Sequence, residues 1–373
     1  MKIGFVVVNE YPQIVPTGGI GVFVKSIAEG FCNQGIQAEV LLITNKKIED
    51  AFLNINQVKI HILPMPQKKG IVGLFENKFK IIKQIEKVVK ENNISILEIS
   101  TSDSFLIRPL KGVDIIARTH GSLSYAIKNH YTPQGFLSTK FQLRHENNLL
   151  KQAKKIICIS HQYLKHYQNH KSKTILVENF IAKEYDSISD LAKNAEKPYL
   201  FFHGSLKNIK GVVELAYSFK KSKAFENYNL YMAGKGSEQI KKELKDILQD
   251  RLTLLGELNP EGLKQYLSRA SLCVYPSKRD AFNLAVAEAM SQKGLVLVSE
   301  AIDEHIVSHM TNGIRFPLKD LDSFEQHIDF ALQLDEAKKT RIKTEAMHHV
   351  RKNFTFDIGL QKNIQFYNSI SAQ

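Results

Sequence analysis

Asp280 and Glu288 are two carboxylates eight positions apart, in the run Pro276-Ser277-Lys278-Arg279-Asp280-Ala281-Phe282-Asn283-Leu284 and its continuation to Glu288. The apolar stretch Leu272–Tyr275 leads in as a strand, a polar loop follows, and a helix then carries Glu288. Eight helical residues span roughly 12 Å at ~1.5 Å per residue. That separation is too wide for one acid/base pair. It suits two hydroxyl-bearing parts of one extended ligand, such as a sugar and a ribose. The amides that open the helix between them would suit a diphosphate.

Three more loops carry chemistry-bearing residues. Thr17-Gly18-Gly19-Ile20-Gly21 joins the first apolar run to the first helical pattern. Its glycines permit close approach to the backbone, and the helix start favours an anion. The spacing is not G-x-G-x-x-G, and no acidic residue closes the next strand, which disfavours a dinucleotide site. A plain structural turn is the alternative. Arg118-Thr119-His120-Gly121-Ser122 ends an apolar strand, where His120 could bond a hydroxyl or handle a proton. His203-Gly204-Ser205-Leu206-Lys207-Asn208-Ile209-Lys210-Gly211 sets two lysines before a helix, again suited to a diphosphate.

These loops need strands and helices to hold them. Apolar, β-branched runs at 3–8, 38–43, 59–63, 94–99, 115–119 and 155–159 alternate with helical patterns, the first helix at about 21–35. The alternation restarts with runs at 199–203, 229–233, 251–255, 272–275 and 294–299. Strands separated by helices imply α/β architecture with parallel sheets covered on both faces. The expectation is two doubly wound Rossmann-like domains facing across a cleft, with ligand at the carboxyl ends of the strands. The first domain is placed at 1–182, a polar linker at 183–197 and the second domain at 198–350. A closing helical segment at 351–373 is expected to pack back across both.

The 373 residues, 43% hydrophobic and 24% charged, are enough for two domains with a core each. No run approaches the ~18 apolar residues of a membrane span. The start, Met1–Pro12, is expected to be a buried first strand rather than a signal peptide. Cys32, Cys158 and Cys273 fall in apolar surroundings without metal-ligand spacing, as expected of free thiols in a reducing cytoplasm. The net charge of +13 is compatible with anionic partners. It concentrates at 67–90, where Lys68, Lys69, Lys78, Lys80, Lys83, Lys87 and Lys90 face only Glu76 and Glu86. Leu74, Phe75, Phe79, Ile82, Ile85, Val88 and Val89 recur there at helical spacing. Such a basic amphipathic helix either lies on an anionic membrane or is an ordinary solvated surface helix. No motif supports nucleic-acid binding.

The motifs together resemble the retaining glycosyltransferases of family 4, which have the GT-B fold. Pro276, Ser277, Phe282, Leu284, Glu288, Ala289 and Met290 match the pattern P-S-x-x-E-G-F-G-L-x-x-x-E-A-M-A. Ala233-Gly234-Lys235-Gly236, Leu255-Gly256, Glu304, Asn312-Gly313, Glu146, Ala153, Ile159-Ser160 and Asn179 agree further. The likeness covers about residues 1–350, and it implies an acceptor-binding N-terminal domain at 1–182 and a nucleotide-sugar-binding C-terminal domain at 198–350.

The resemblance implies that Glu288 binds the ribose of a nucleotide-sugar, a UDP- or GDP-sugar, and that Asp280 holds the transferred sugar. Amides around Phe282, Asn283 and Leu284 would approach sugar and phosphate. Lys210, with Gly204 and Ser205 on its loop, would meet the departing diphosphate. His120 would contact the sugar near the reaction centre, and Gly18 and Gly19 the donor phosphates or the acceptor. Retention is described there as front-face departure and attack, with no protein nucleophile. Asp280 replaces the family's first Glu, Ala281 and Asn283 replace its two glycines, Ser205 its phosphate-binding Arg, and Phe180 the glycine after Asn179. The only Asp-x-Asp, Asp320-Leu321-Asp322, is expected to cap a helix rather than hold a metal.

The expectation is a cytoplasmic, possibly membrane-peripheral, metal-independent transferase acting on a saccharide or lipid-linked acceptor, in bacterial surface polysaccharide synthesis, with no cofactor. The rivals are a GT-B epimerase or phosphorylase, and a non-catalytic nucleotide-sugar-binding scaffold.

Overall fold

The computed structural model describes residues 1–15, 18–66, 70–105, 108–128, 137–188, 198–280 and 282–371. Thr17, Lys68, Lys69, Ala281 and most of the segment read as a linker, 189–197, lie outside the described residues. The chain divides into two compact units. The first is Met1–Glu178 with Leu360–Gln373, and the second is Asn179–Gly359.

In the first unit the chain runs β1 (Lys2–Val8), α1 (Gly19–Asn33), β2 (Gln37–Thr44), β3 (Phe52–Ile55), β4 (Val58–Pro64), α2 (Gly70–Glu91), β5 (Ile96–Ser100) and β6 (Asp114–Arg118). It continues with α3 (Leu123–Lys128), α4 (Leu137–Gln152), β7 (Lys155–Cys158), α5 (His161–His166) and β8 (Thr174–Leu176). The sheet order is β3-β4-β2-β1-β5-β6-β7-β8, parallel except for β3 against β4. The central strands are covered on both faces, which is why Ile3–Val7 and Val40–Ile43 are apolar without alternation. The order reverses between β2-β1 and β5, and the loops after β1, β5 and β6 emerge at that switch point.

The second unit holds β9 (Tyr199–His203), α6 (Val212–Lys221), β10 (Asn229–Ala233), α7 (Glu238–Leu248), β11 (Leu252–Gly256), α8 (Pro260–Arg269) and β12 (Leu272–Tyr275). After these come α9 (Leu284–Ser291), β13 (Val296–Ser299), β14 (Ile314–Phe316), α10 (Glu325–Gln333) and α11 (Glu336–Asn353). The last helix, α12 (Phe356–Ser371), begins in this unit and ends in the first. The all-parallel order β11-β10-β9-β12-β13-β14 places its switch point between β9 and β12. Both are buried strands, and both motif loops of this half follow them directly.

Three strands have no counterpart in the sequence-based reading: β3, β8 and β14. Each is only three or four residues long and lies at a sheet edge, too short for a periodic apolar signal. Helix α1 starts at Gly19, two residues ahead of the expected start.

The fully buried Arg118 at the end of β6 joins the C-terminal helix to the sheet of the first unit. Its guanidinium donates to Glu98 at 2.8 and 3.0 Å and to Asn363 Oδ1 at 2.6 Å. Tyr367 donates its hydroxyl to Glu98 as well. Burial holds the Tyr367 hydroxyl well above its ordinary pKa, so it stays a donor. Asn363 and Tyr367 thus give a buried ion pair the extra hydrogen bonds that such pairs need.

Candidate active site

In the second unit, close packing of glycines joins the loops. Gly204 follows β9 at φ +134°, and a Cβ on Gly234 would sit 1.9 Å from the Gly204 carbonyl oxygen. Leu206 N donates to Lys235 O at 2.7 Å. Gly211 is left-handed at φ +70° and opens α6, and a Cβ there would fall 2.1 Å from Pro276 O. Lys278 N donates to Ile209 O at 2.9 Å. Only glycine permits these approaches, and they bring the loop of Lys210 onto the loop of Asp280. Lys210 Nζ and the Asp280 carboxylate form a direct ion pair. Lys278 is paired with Glu214.

Glu288, on α9, is held from the other side. Its carboxylate lies 3.0 Å from His203 Nε2, and His203 Nδ1 lies 2.8 Å from the Tyr275 hydroxyl. Burial holds Tyr275 well above the usual phenol range. The phenol keeps its proton and is able to donate it to Nδ1, while Nε2 meets Glu288. The result is a chain of contacts, Tyr275 to His203 to Glu288, that fixes the carboxylate's orientation.

Phe282, Asn283 and Leu284 lead into α9. The Phe282 side chain is buried against Phe354, with ring centroids 5.2 Å apart, so only its backbone is available to a ligand. Asn283 is the N-cap of α9 at φ −87° and makes no side-chain cap bond. It therefore does not stand in for glycine through positive φ, and the first amides of α9 have no side-chain cap. Ser205 stands in the same loop as Lys210 and brings no charge.

In the first unit, His120 follows β6. Its ring meets Phe23 at 4.8 Å, and Phe23 in turn stacks under Arg118 at 4.7 Å. Burial and the Arg118 charge push His120 well below its ordinary pKa, so it is neutral near pH 7. The buried Nε2 has no hydrogen-bond partner among the described residues. Glu146 fixes the loop that carries His120. It accepts from Leu123 N at 2.8 Å, Ser122 Oγ at 3.0 Å, Ser124 Oγ at 2.7 Å and Tyr167 Oη at 2.9 Å. Gly18 is the N-cap of α1, and Gly19 has open space where a side chain would be.

The structure thus brings Gly204, Ser205, Lys210, Asp280, Phe282, Asn283, Leu284 and Glu288 together in one unit, and Gly18, Gly19 and His120 in the other. Motif reading sets His203 at the head of its loop without giving it a role, and gives no warning of Tyr275, or of Glu10 and Asp103 in the first unit. Their common signal is position: each stands at or just beyond the carboxyl end of a central strand. The capping role expected of Asp320 and Asp322 is corrected. Asp320 bonds His327 at 3.2 Å, and Phe324 precedes α10 without a side-chain cap bond.

Residues 17–184 match the model for Glycosyltransferase Family 4, and residues 185–349 match the model for glycosyl transferases group 1. The chain is similar to the uncharacterized glycosyltransferase YqgM of Bacillus subtilis, at 26% identity over 61% of this chain and 66% of that one. It is also similar to the gpi3 subunit of phosphatidylinositol N-acetylglucosaminyltransferase of Schizosaccharomyces pombe, at 28% over 38% of this chain and 31% of that one. The chain thus spans just under two thirds of the first relative and less than a third of the second. Among solved structures, sucrose-phosphate synthase of Thermosynechococcus elongatus has a TM-score of 0.85 at 18% identity, covering 100% of this chain and 99% of that one. Anabaena HepE, solved in complex with UDP-glucose, has a TM-score of 0.75 at 16% identity, with 100% of both chains covered. The fold is that of the GT-B glycosyltransferases. The chain belongs to the family-4, group-1 type of glycosyltransferase.

Proposed function

We propose that this glycosyltransferase moves a sugar from a nucleoside diphosphate sugar, a UDP- or GDP-sugar, to a saccharide or lipid-linked acceptor, with retention and without an essential metal. The observation that carries this reading is the joining of the two loops at the switch point of the second unit. Lys210 and Asp280 are paired there, and Glu288 is held in place on α9. Glu288, with both oxygens able to accept, takes the ribose hydroxyls. Asp280 accepts from hydroxyls of the transferred sugar. Lys210 and the uncapped amides of α9 face the diphosphate, where negative charge grows as the bond to the sugar breaks. The UDP-glucose bound by HepE is a donor of this kind.

In the reaction, the C1–O bond to the donor phosphate breaks while the acceptor oxygen bonds C1 on the same face. The acceptor's proton passes to the departing phosphate oxygen, and a nucleoside diphosphate leaves. In this reading His120, neutral near pH 7 and without an Nε2 partner among the described residues, bonds a sugar hydroxyl during this step.

A role in bacterial surface polysaccharide synthesis, at the inner face of the plasma membrane, agrees with this acceptor class and with the basic α2. WaaG, a glycosyltransferase involved in lipopolysaccharide biosynthesis, shares the fold at a TM-score of 0.73.

A thermal-shift screen with UDP, GDP, ADP and their sugars tests the donor, since ligand binding to the folded state raises the melting temperature. One nucleotide series should stabilise the protein, and its sugar should then be consumed with nucleotide release unaffected by chelator. Binding without any release, in the presence of glycosides and lipid-linked saccharides, would support the non-catalytic scaffold instead. That reading draws on Ser205 and Asn283, which replace the family's charged and bare-backbone positions.

A further inference from the structure

The first unit holds a cavity of about 860 Å³ at the amino ends of β5 and β6. Its walls are the last turns of α2, the link from α2 into β5, and the stretch just ahead of β6. Asp103 and His120 follow the opposite, carboxyl ends of the same two strands. A strand's length therefore separates the cavity from them, roughly 16 Å at ~3.3 Å per residue. Its volume falls in the range of small-molecule sites, roughly 300–1,000 Å³.

Three cations line this cavity against one carboxylate: Lys90, Arg108 and Lys111 against Glu86, a balance of +2. Glu86 is occupied in building the wall. Arg108 donates to it from Nη1 and from Nη2, each at 2.7 Å, and the backbone amide of Lys111 bonds it as well. Arg108 Nη1 also donates to Pro109 O at 3.0 Å. A guanidinium has five N–H groups, so Arg108 keeps two donors in reserve. Lys90 and Lys111 enter no ion pair among the described residues, and the neighbouring carboxylates have other partners. Glu91 pairs with Lys87 at 3.8 Å, and Asp114 with Lys154 at 2.9 Å. The two lysines are not needed to cap α2 either. The carbonyls of Val88 and Val89 near its end accept from Asn92 N and Ile94 N, each at 3.0 Å. Val89 and Ile94 are buried and give the cavity an apolar floor. Charges of one sign beside such a low-dielectric wall concentrate their field on the opening.

We propose that this cavity binds a soluble phosphate monoester, at a site separate from the donor and acceptor of the transfer reaction. A monoester carries a charge of about −1.5 to −2 near pH 7, which matches the balance of the walls. Its three terminal oxygens can accept from both ammonium groups and from the reserve donors of Arg108. A carboxylate or a phosphodiester, with a single charge, leaves one cation unmatched. The cavity is larger than a phosphate group, and its apolar floor receives the organic part of the ester.

Titration of the full chain with glycerol 3-phosphate, followed through the backbone amide resonances of Asn93, Lys111 and Gly112, tests this. Those resonances should shift saturably. Glycerol, or sodium chloride at equal ionic strength, should not reproduce the shift. Lys90→Ala and Lys111→Ala should each weaken binding about tenfold, the scale of one lost charged hydrogen bond. Both lysines are exposed, so neither change removes a core contact. Lys80→Ala, ten residues up the helix and about 15 Å away at ~1.5 Å per residue, should leave binding unchanged. Dihexanoyl phosphatidylglycerol below its micelle concentration presents the phosphodiester headgroup of a lipid, and it should not compete. Preference for that lipid over the monoester, a chloride response equal to the phosphate response, or affinity indifferent to both Lys90 and Lys111 would overturn the proposal.

Discussion

At the level of single residues, the second unit divides its labour between two carboxylates with different partners. Glu288 is held by a histidine, whereas Asp280 is held by a lysine. Replacing Glu288 with Ala should therefore weaken nucleotide binding by about ten- to hundred-fold, the equivalent of one lost charged hydrogen bond. Asp280→Ala should leave nucleotide affinity within a few-fold and depress turnover, as calorimetry and release assays in parallel would show. His203→Phe should reproduce much of the Glu288 binding defect, while His203→Gln, able to donate from its amide, should restore part of it. Equal nucleotide affinity in all the His203 variants would remove the orienting role. Asp103 carries a pH signature of its own. Its folded carboxyl lies near 7, raised by burial and then by Glu10 from an ordinary value near 4. Between those values the folded protein holds a proton that the unfolded chain has released. Asp103 therefore makes stability fall as pH rises from about 4 to about 7. Asp103→Asn should flatten that part of a melting-temperature profile.

At the scale of elements, backbone closeness assembles the site. Gly211→Ala places a Cβ 2.1 Å from Pro276 O at a left-handed position. The conformation alone costs roughly 1–2 kcal/mol, and the clash adds more. The loop of Lys210 should then separate from that of Asp280, with donor turnover falling further than the loss in unfolding free energy accounts for. The C-terminal helix has a parallel role in the first unit. Tyr367→Phe removes a donor from the buried Glu98, which should cost about 1–3 kcal/mol in urea unfolding. Because Arg118 lies under Phe23, and Phe23 against His120, this change should also be felt at His120. The ring proton shifts of His120 would report it.

For the molecule as a whole, the positive charge has a defined place. On α2 the residues Ile81, Ile82, Ile85, Val88 and Val89 are buried in the first unit, while Lys80, Lys83, Lys87 and Lys90 are exposed. Those apolar residues are thus committed to the protein core. No helix among the described residues is long and apolar enough to cross a membrane. Any attraction to an anionic bilayer through these lysines is electrostatic, at about 1 kcal/mol for each lysine near the surface. Vesicle sedimentation should show binding that is strong at low salt and lost as the Debye length shrinks to about 8 Å at physiological salt. Binding that persists at high salt would point to apolar insertion, for which Phe79 stands exposed on the same helix.

What the chain dictates by itself is the succession of buried strands and the loops that end them. Tyr199–His203, Asn229–Ala233 and Leu272–Tyr275 are legible because runs of aromatic and aliphatic residues leave little polar face to expose. Gly204, Lys210, Asp280 and Glu288 are legible because their spacing follows those strands. The pairing of Lys210 with Asp280 is not, since 70 residues separate them and only the parallel order β9-β12 makes their loops neighbours. The loops of Glu10, Asp103 and His120 follow adjacent strands for the same reason, though they are far apart in the chain. His203 and Tyr275 look like core residues in sequence, and in burial they are. Their function comes from where the sheet sets Glu288. Pattern encodes which residues are buried and where strands end. Which strand ends become neighbours, and so which side chains meet, is decided only when the sheets assemble.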